Sequence, residues 1–279
     1  MIQGYIVSLR YIFLRLVRHF MPEWLTRFLL RRSLIIRPGL ETSDPASAVA
    51  RYCETLAAHG ASLAGKRVLV FGYGGNYAIG AELLKAGAGH VILLDRFAPP
   101  DDRRNRGLVQ TYPDYFVLQN GQVHAAEPFI TLIHDDVKRV KVSEKFDVAL
   151  STSVYEHLDD VDGLTAALAS LTSPNGIHVH HVDLRDHYFK LPFEMLKFSE
   201  RMWKTWLNPT SNLNRFRMRD YRKFFEKYFA DVNIKVMERE PEAFARARSG
   251  IRPEFLTGDE TEDSVTLIGV VALCPRIGD

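Results

Sequence analysis

The 279-residue chain has only two cysteines, Cys53 and Cys274. They lie far apart and belong to no CxxC pair or Cys/His cluster, which excludes a disulfide framework and zinc-finger spacing. An excess of one charge is also lacking: 36 Lys and Arg against 34 Asp and Glu leave +2 at neutral pH, too little to suggest a nucleic-acid binder. Nor is there a long apolar run near the N-terminus. Stretches such as Tyr11–Leu14 last four or five residues, whereas a transmembrane helix needs roughly 20. Arginines interrupt every segment that could form the core of a signal peptide, and no small-residue cleavage site follows. Internal repeats and low-complexity stretches are missing too. What remains, at 46% hydrophobic and 25% charged residues, is a globular composition sized for one large α/β domain with appendages.

The charge is unevenly spread. Residues 1–40 hold Arg10, Arg15, Arg18, Arg27, Arg31, Arg32 and Arg37 against Glu23 alone, a net of +6 that leaves −4 for the rest. The segment reads as two helices broken at Pro22, because proline cannot continue the helix ladder and disfavours α conformation just before it. Arginines mixed with Ile, Leu, Phe and Trp24 form a basic amphipathic surface. Two roles stay open: peripheral contact of residues 1–38 with an anionic membrane, or helices that cap the domain or form a dimer, with their arginines on the wet face. The expected compartment is the cytoplasm, at the inner membrane face if the first role holds.

From Gly65 onward strand-like and helix-like segments alternate, the pattern of a parallel sheet with helices on both faces. RVLVF (67–71), HVILL (90–94), FITLIH (129–134) and FDVAL (146–150) read as buried strands, followed by 177–182. Helices are expected at 78–86, 161–173, 188–208 and 219–228. Residues 232–236 and 264–273 read as closing strands, the last antiparallel at the sheet edge. Residues 98–128 are polar and the least legible, with at most a short helix.

The strongest motif is Val68-Leu69-Val70-Phe71-Gly72-Tyr73-Gly74-Gly75-Asn76, then Ile79-Gly80, then Asp95. A buried strand feeding a glycine turn and a helix lets backbone approach a cofactor closely. An acid at the end of the next strand, about 20 residues on, is placed to accept hydrogen bonds from ribose hydroxyls. Asp135–Asp136 and Ser151–His157 also fall at strand C-termini, where ligands sit in open α/β sheets. A nicotinamide-dependent oxidoreductase uses the same arrangement. However, its fingerprint wants glycine at 77, where this chain has tyrosine, and no tyrosine is followed by lysine four residues on.

In the order of these motifs, residues 50–275 resemble the class I S-adenosylmethionine-dependent methyltransferases. The resemblance implies a Rossmann-like, mostly parallel sheet with helices on both faces, an antiparallel edge strand and, here, an N-terminal helical extension. Residues 1–40 are then the extension and 41–279 the catalytic domain, with an acceptor-side lid at about 184–218. It also implies that Gly72, Tyr73, Gly74, Gly75 and Asn76 hold the methionine part of S-adenosylmethionine. Asp95 with Arg96 would hold the ribose, Asp135 or Asp136 would read the adenine amine, and Ser151, Thr152 and Ser153 would line the same cofactor. FDVALSTSVYEHLDD is similar to the family's fourth-strand segment. One departure matters: many members carry an acid where Val70 stands, which leaves the methionine ammonium needing another partner. HHVDLRDHYF and LNPTSNLNRFRMRDY resemble a bacterial subgroup acting on small molecules or glycans.

Methyl transfer from a sulfonium is an in-line displacement, so positioning can do most of the work, and a hydroxyl acceptor additionally needs a base. Histidine is available near neutrality. His157 and His181 are the expected bases, with Asp183 as orienting carboxylate. Adjacent His180 and His181 must face opposite ways along a strand. The crowding of His180, His181, Asp183, Asp186 and His187 shows no known metal spacing, and no metal is expected. Nucleic acid is not expected as acceptor, because an Asp/Asn-Pro-Pro-aromatic loop after the fourth strand is missing. Arg215–Arg222 reads as a solvated helix start or a contact for substrate phosphate or carboxylate. Phe189–Leu196, with Phe198, Met202, Trp203 and Trp206, reads as a roof over the acceptor or as core. A small-molecule, glycan or lipid-linked acceptor, methylated at oxygen, is the expectation; a non-catalytic scaffold is the third reading.

Overall fold

A computed structural model describes residues 2–22 (side chains from Leu9), 25, 29, 40–186, 191–208 and 213–276. The strands are β1 (Arg67–Phe71), β2 (His90–Leu94), β3 (Phe116–Gln119), β4 (Gln122–Ala125), β5 (Ile130–Ile133), β6 (Phe146–Thr152), β7 (Thr172–Asp183), β8 (Phe229–Arg239) and β9 (Val265–Pro275). Among the described residues seven form one sheet in the order β5-β2-β1-β6-β7-β9-β8, and β3 with β4 makes a separate hairpin. The five from β5 to β7 run parallel. The antiparallel pairing expected at the far end is present, with the C-terminal strand β9 one place inward, paired against both β7 and β8, so that β8 forms the rim.

The longer helices among the described residues are α1 (Ile2–Phe20), α2 (Pro45–Ala58), α3 (Ala78–Lys85), α4 (Val161–Leu171), α5 (Met218–Tyr228) and α6 (Pro241–Ala247). α2 starts cleanly because Asp44 accepts the N–H of Ser47 and Pro45 fills the first turn. The alternation of β1 explains why its run is apolar throughout. Val68 and Val70 enter the core beneath α2 and α3, with Tyr52, Leu56 and Leu83. Leu69 and Phe71 enter the core beneath α4 and α5, with Leu168, Tyr221 and Phe225. Each such side chain contributes roughly 1.5–3 kcal/mol by leaving water.

A third, smaller core lies outside the sheet. Tyr11 of α1, Phe193, Met195, Leu196, Trp203 and Leu213 pack against Phe244 and Ile251. The helix expected at 188–208 is instead a series of short turns, Glu194–Lys197, Glu200–Met202 and Trp203–Leu207. The first two end where Phe198 and Trp203 turn into this core, and the third ends on Leu207, also part of it.

α1 corrects the expectation that its arginines face water at two of three positions, Arg10 alone being exposed. Tyr11, Arg15 and Arg18 point inward, at 0%, 1% and 7% exposure, whereas Leu9, Phe13, Val17 and Phe20 are 44–70% exposed. Arg15 forms a buried ion pair with Asp186, to which Tyr11 also donates. The Arg15 guanidinium lies 4.7 Å from the Trp203 ring centroid, a cation–π contact that a desolvated site strengthens. The break at Met21–Pro22 is where proline predicts it. Trp24, Arg27 and most of the second helix fall outside the described residues, as do His187, Phe189 and Lys190.

The Arg215–Arg222 cluster is not a solvated helix start at its first two arginines. Arg215 donates to the carbonyls of Met195 (3.1 Å) and Phe198 (2.6 Å). Arg217 donates to those of Leu184 (3.1 Å) and Val265 (2.5 Å). Both are buried. They stitch the third core to the sheet.

Candidate active site

The loops at the carboxyl ends of β1, β2, β5 and β6 enclose a cleft of about 370 Å³. Its first wall is the glycine turn after β1. A Cβ at Gly72 would run into the side chain of Val154, and one at Gly75 into the carbonyl of Pro99; both residues also have positive φ. Beside Gly74 a Cβ would meet nothing, so the turn keeps one open side. Asp95 holds this turn to the end of β2: it accepts the N–H groups of Gly74 (3.0 Å), Phe97 (2.8 Å) and Ala98 (2.8 Å). Asn76 caps α3 through the N–H of Ala78 (3.0 Å). Tyr73 and Tyr77 are buried, and the Tyr77 ring stacks on Phe116 at 5.7 Å. That ring leaves towards the β3–β4 hairpin, which is how the turn tolerates tyrosine at 77.

The second wall comes from β2, β5 and β6. Asp95, Arg96, Phe97, Asp135, Asp136, Val137, Ser153, Val154, His157 and Leu158 all line the cleft. Arg96 reaches across its mouth to Asp136 at 2.9 Å. The Ser151–Ser153 run is split by strand alternation. Ser153 reaches the cleft with φ +56°, its N–H held by the carbonyl of His181 at 3.0 Å. Thr152 faces the α2 side, 2.8 Å from the Tyr52 hydroxyl and 3.3 Å from His181 Nδ1. Ser151 does not reach the cofactor cleft with its hydroxyl. It is fully buried and bonds His180 Nδ1 at 2.7 Å.

The histidines separate as alternation requires. His180 lies on the α5 side, joined to His178 at 3.2 Å, and His178 to Thr172 at 2.7 Å. Burial holds His178 neutral, pushing its pKa down to about 3, and lowers His180 in the same direction. His181 is on the opposite face, pushed down to about 3 by burial first and the nearby Arg51 second. Its Nε2 makes no hydrogen bond among the described residues. Asp183, expected to orient His181, is instead gripped by Arg185, whose Nε and Nη2 donate at 2.8 and 2.9 Å. With Asp186 paired to Arg15, the four described members of the cluster that invited a metal reading point separate ways.

Three side chains that position the cleft carry no local sequence signal. Asn105, fully buried, donates to the Gly75 carbonyl and accepts the Tyr77 N–H, both at 2.9 Å. Asn214 donates to the carbonyls of Tyr155 (2.8 Å) and Leu158 (3.0 Å), clamping the turn that carries His157. Glu41 lies buried beside Tyr52.

A family model described as a methyltransferase domain matches residues 17–231. The chain belongs to that family. No curated protein matches the sequence. Among solved structures, similar backbones include an S-adenosylmethionine-dependent methyltransferase from Mesorhizobium loti, 16% identical over 80% of this chain and 96% of the other, with a TM-score of 0.45. The N-methyltransferase NodS from Bradyrhizobium japonicum, with S-adenosylhomocysteine, is 12% identical over 85% and 91%, with a TM-score of 0.47. Magnesium protoporphyrin IX methyltransferase from Synechocystis, with the same ligand, is 15% identical over 82% of each chain, with a TM-score of 0.46.

The chain is thus a class I S-adenosylmethionine-dependent methyltransferase, and its cofactor is S-adenosylmethionine. The residues present fit that group. The open side of Gly74 leaves room where a Cβ would otherwise stand. Asp95 would offer an acceptor to a ribose, and the Phe97–Val137–Leu158 surface would give an adenine ring apolar walls. Tyr at 77 and the missing Tyr-x-x-x-Lys pair set the methyltransferase apart from the nicotinamide enzymes that share its turn.

Proposed function

We propose that the enzyme methylates a hydroxyl of a small-molecule or glycan acceptor presented at a lipid surface, with His157 as the base. The observation that carries the lipid part is the reversed helix α1. Its polar side is bolted to Asp186, three residues beyond the end of β7, while its apolar stripe Leu9-Phe13-Val17-Phe20 faces outward beside the half-exposed Trp206. No described helix is long and apolar enough to cross a membrane, so the stripe suits lying in an interface. Without the buried Arg15 and Arg18 the segment still carries a net charge of +4, which suits an anionic leaflet.

Bound cofactor supplies an electrophilic methyl group. The chain must then hold the acceptor oxygen in line and take its proton. His157 lines the cleft on a turn clamped by Asn214, which supports giving it the proton. His181, held by Thr152 behind the cleft, is read as a positioning residue, and Asp183 as structural. The test is transfer of labelled methyl from S-adenosylmethionine into lipid-extractable against water-soluble fractions, with product mass spectrometry to locate the methyl. Co-sedimentation with anionic vesicles should be lost in Phe13→Glu/Val17→Glu. Label confined to water-soluble products, or unchanged co-sedimentation, would overturn the lipid reading; methyl on nitrogen would overturn the oxygen reading; full activity in His157→Ala would remove the base.

A further inference from the structure

We infer that Glu41 and Arg51 together hold the amino-acid end of S-adenosylmethionine, the Glu41 carboxylate taking its α-ammonium and the Arg51 guanidinium its α-carboxylate. Position 70 defines where an acid is missing. Val70 lies opposite Leu150 in the β1–β6 register, and both side chains enter the core on the α2 side. Thr152, two residues beyond Leu150 on the same strand, therefore shares that face. It ends β6 beside the glycine turn, since Val154, two residues further, is what crowds Gly72.

Around Thr152 the structure gathers two opposite charges without joining them. Tyr52 links Thr152 to Glu41, bonding both. Arg51, the neighbour of Tyr52 on α2, donates to Thr152 Oγ1 at 3.4 Å. Glu41 sits on the helical turn Leu40–Ser43, which packs against α3, the helix that follows the glycine turn.

Among the described residues neither charge forms an ion pair, although Glu41 is only 8% exposed. Burial pushes its carboxyl up to about 7, and Arg51 is the weakest of the influences that oppose this. The Nε of Arg51 is buried without a hydrogen-bond partner. Burying a carboxylate or a guanidinium N–H unpaired is unfavourable, so a ligand that offers a cation and an anion on adjacent atoms satisfies both at once. An amino-acid zwitterion does so. A dinucleotide, with its two phosphates, would leave Glu41 unmatched.

The inference rests on the family's cofactor and is tested on the full chain by calorimetry with two ligands. S-adenosylhomocysteine carries the zwitterion; methylthioadenosine has the same nucleoside without it. Glu41→Gln, which keeps an acceptor for Tyr52, and Arg51→Gln should each weaken S-adenosylhomocysteine roughly 10- to 100-fold, the range for a hydrogen bond to a charged group. Methylthioadenosine should bind the variants and the wild type alike, within about twofold, a split that a general loosening of the fold would not produce. Equal losses for both ligands would overturn the assignment, as would unchanged binding of S-adenosylhomocysteine. Failure of the wild type to bind S-adenosylhomocysteine would overturn the cofactor assignment as well.

Discussion

Asn105→Ala tests how the glycine turn is held. Asn105 makes two buried hydrogen bonds, and the two do not weigh equally. The Gly75 carbonyl also accepts from the N–H of Asp101 at 3.0 Å, so it keeps a partner when Asn105 goes. The Tyr77 N–H has no substitute, because Tyr77 is 1% exposed and Asn105 Oδ1 is its acceptor. The expected cost is therefore about 1 kcal/mol for the Gly75 bond and about 1–3 kcal/mol for a buried donor left unsatisfied. The sum, roughly 2–4 kcal/mol, corresponds to a fall of several degrees in Tm for a domain of this size. Urea denaturation with an unchanged m-value would measure it. Affinity for S-adenosylhomocysteine should fall as well, since the turn forms the first wall of the cleft. A loss under about 0.5 kcal/mol with unaltered affinity would refute the reasoning, because another group would then have to be holding the turn.

Glu41→Gln should stabilise the ligand-free protein in a pH-dependent way. The folded carboxyl is raised from 4.5 to about 7, so ionisation destabilises the fold as pH rises through that window and the whole penalty stands above it; the variant should gain about 3 kcal/mol at pH 8 and nothing at pH 4. The histidines act in the opposite sense. His178 and His181 are depressed to about 3, so the unfolded chain takes up protons below pH 6.5 that the fold refuses, and each should remove about 2 kcal/mol between pH 6 and 4.5; substituting both with asparagine should flatten that slope in urea titrations. On α1, Tyr11→Ala should destabilise by roughly 3–5 kcal/mol, whereas Phe13→Ala, 65% exposed, should stay within about 0.5 kcal/mol; a larger loss for Phe13→Ala in denaturant titrations would show the helix is turned the other way.

The central strands were legible because burial on both faces writes a continuous apolar run: RVLVF and HVILL mark β1 and β2 to the residue. Asp95 was legible as an acid at a strand end, though not its three backbone bonds. The β3–β4 hairpin was missed despite a usable signal. Asn120-Gly121 is the dipeptide of a two-residue hairpin turn, and both residues have positive φ, 52° and 79°. The facing of α1 was not legible at all. Periodicity separates an apolar from a basic side but does not say which is wet, and here Asp186, 171 positions along from Arg15, decides. The same holds for Asn105, whose partners are 28 and 30 residues away. Side chains that act through long-range pairing leave no local mark.

The buried run from Ser151 through His180 and His178 to Thr172 has a sense of travel. The Thr172 hydroxyl spends its hydrogen on the Leu168 carbonyl at 2.7 Å, so His178 must carry its proton on Nε2. Being neutral, His178 then offers a bare Nδ1 to His180, which must likewise hold its proton on Nε2. That leaves His180 Nδ1 to receive the hydrogen of Ser151. One helix carbonyl thus fixes two tautomers and the rotor of a hydroxyl four groups away. With its hydrogen spent inward, the fully buried Ser151 oxygen keeps only lone pairs, so the end of β6 is tied to α4 by a chain of bonds that all point one way.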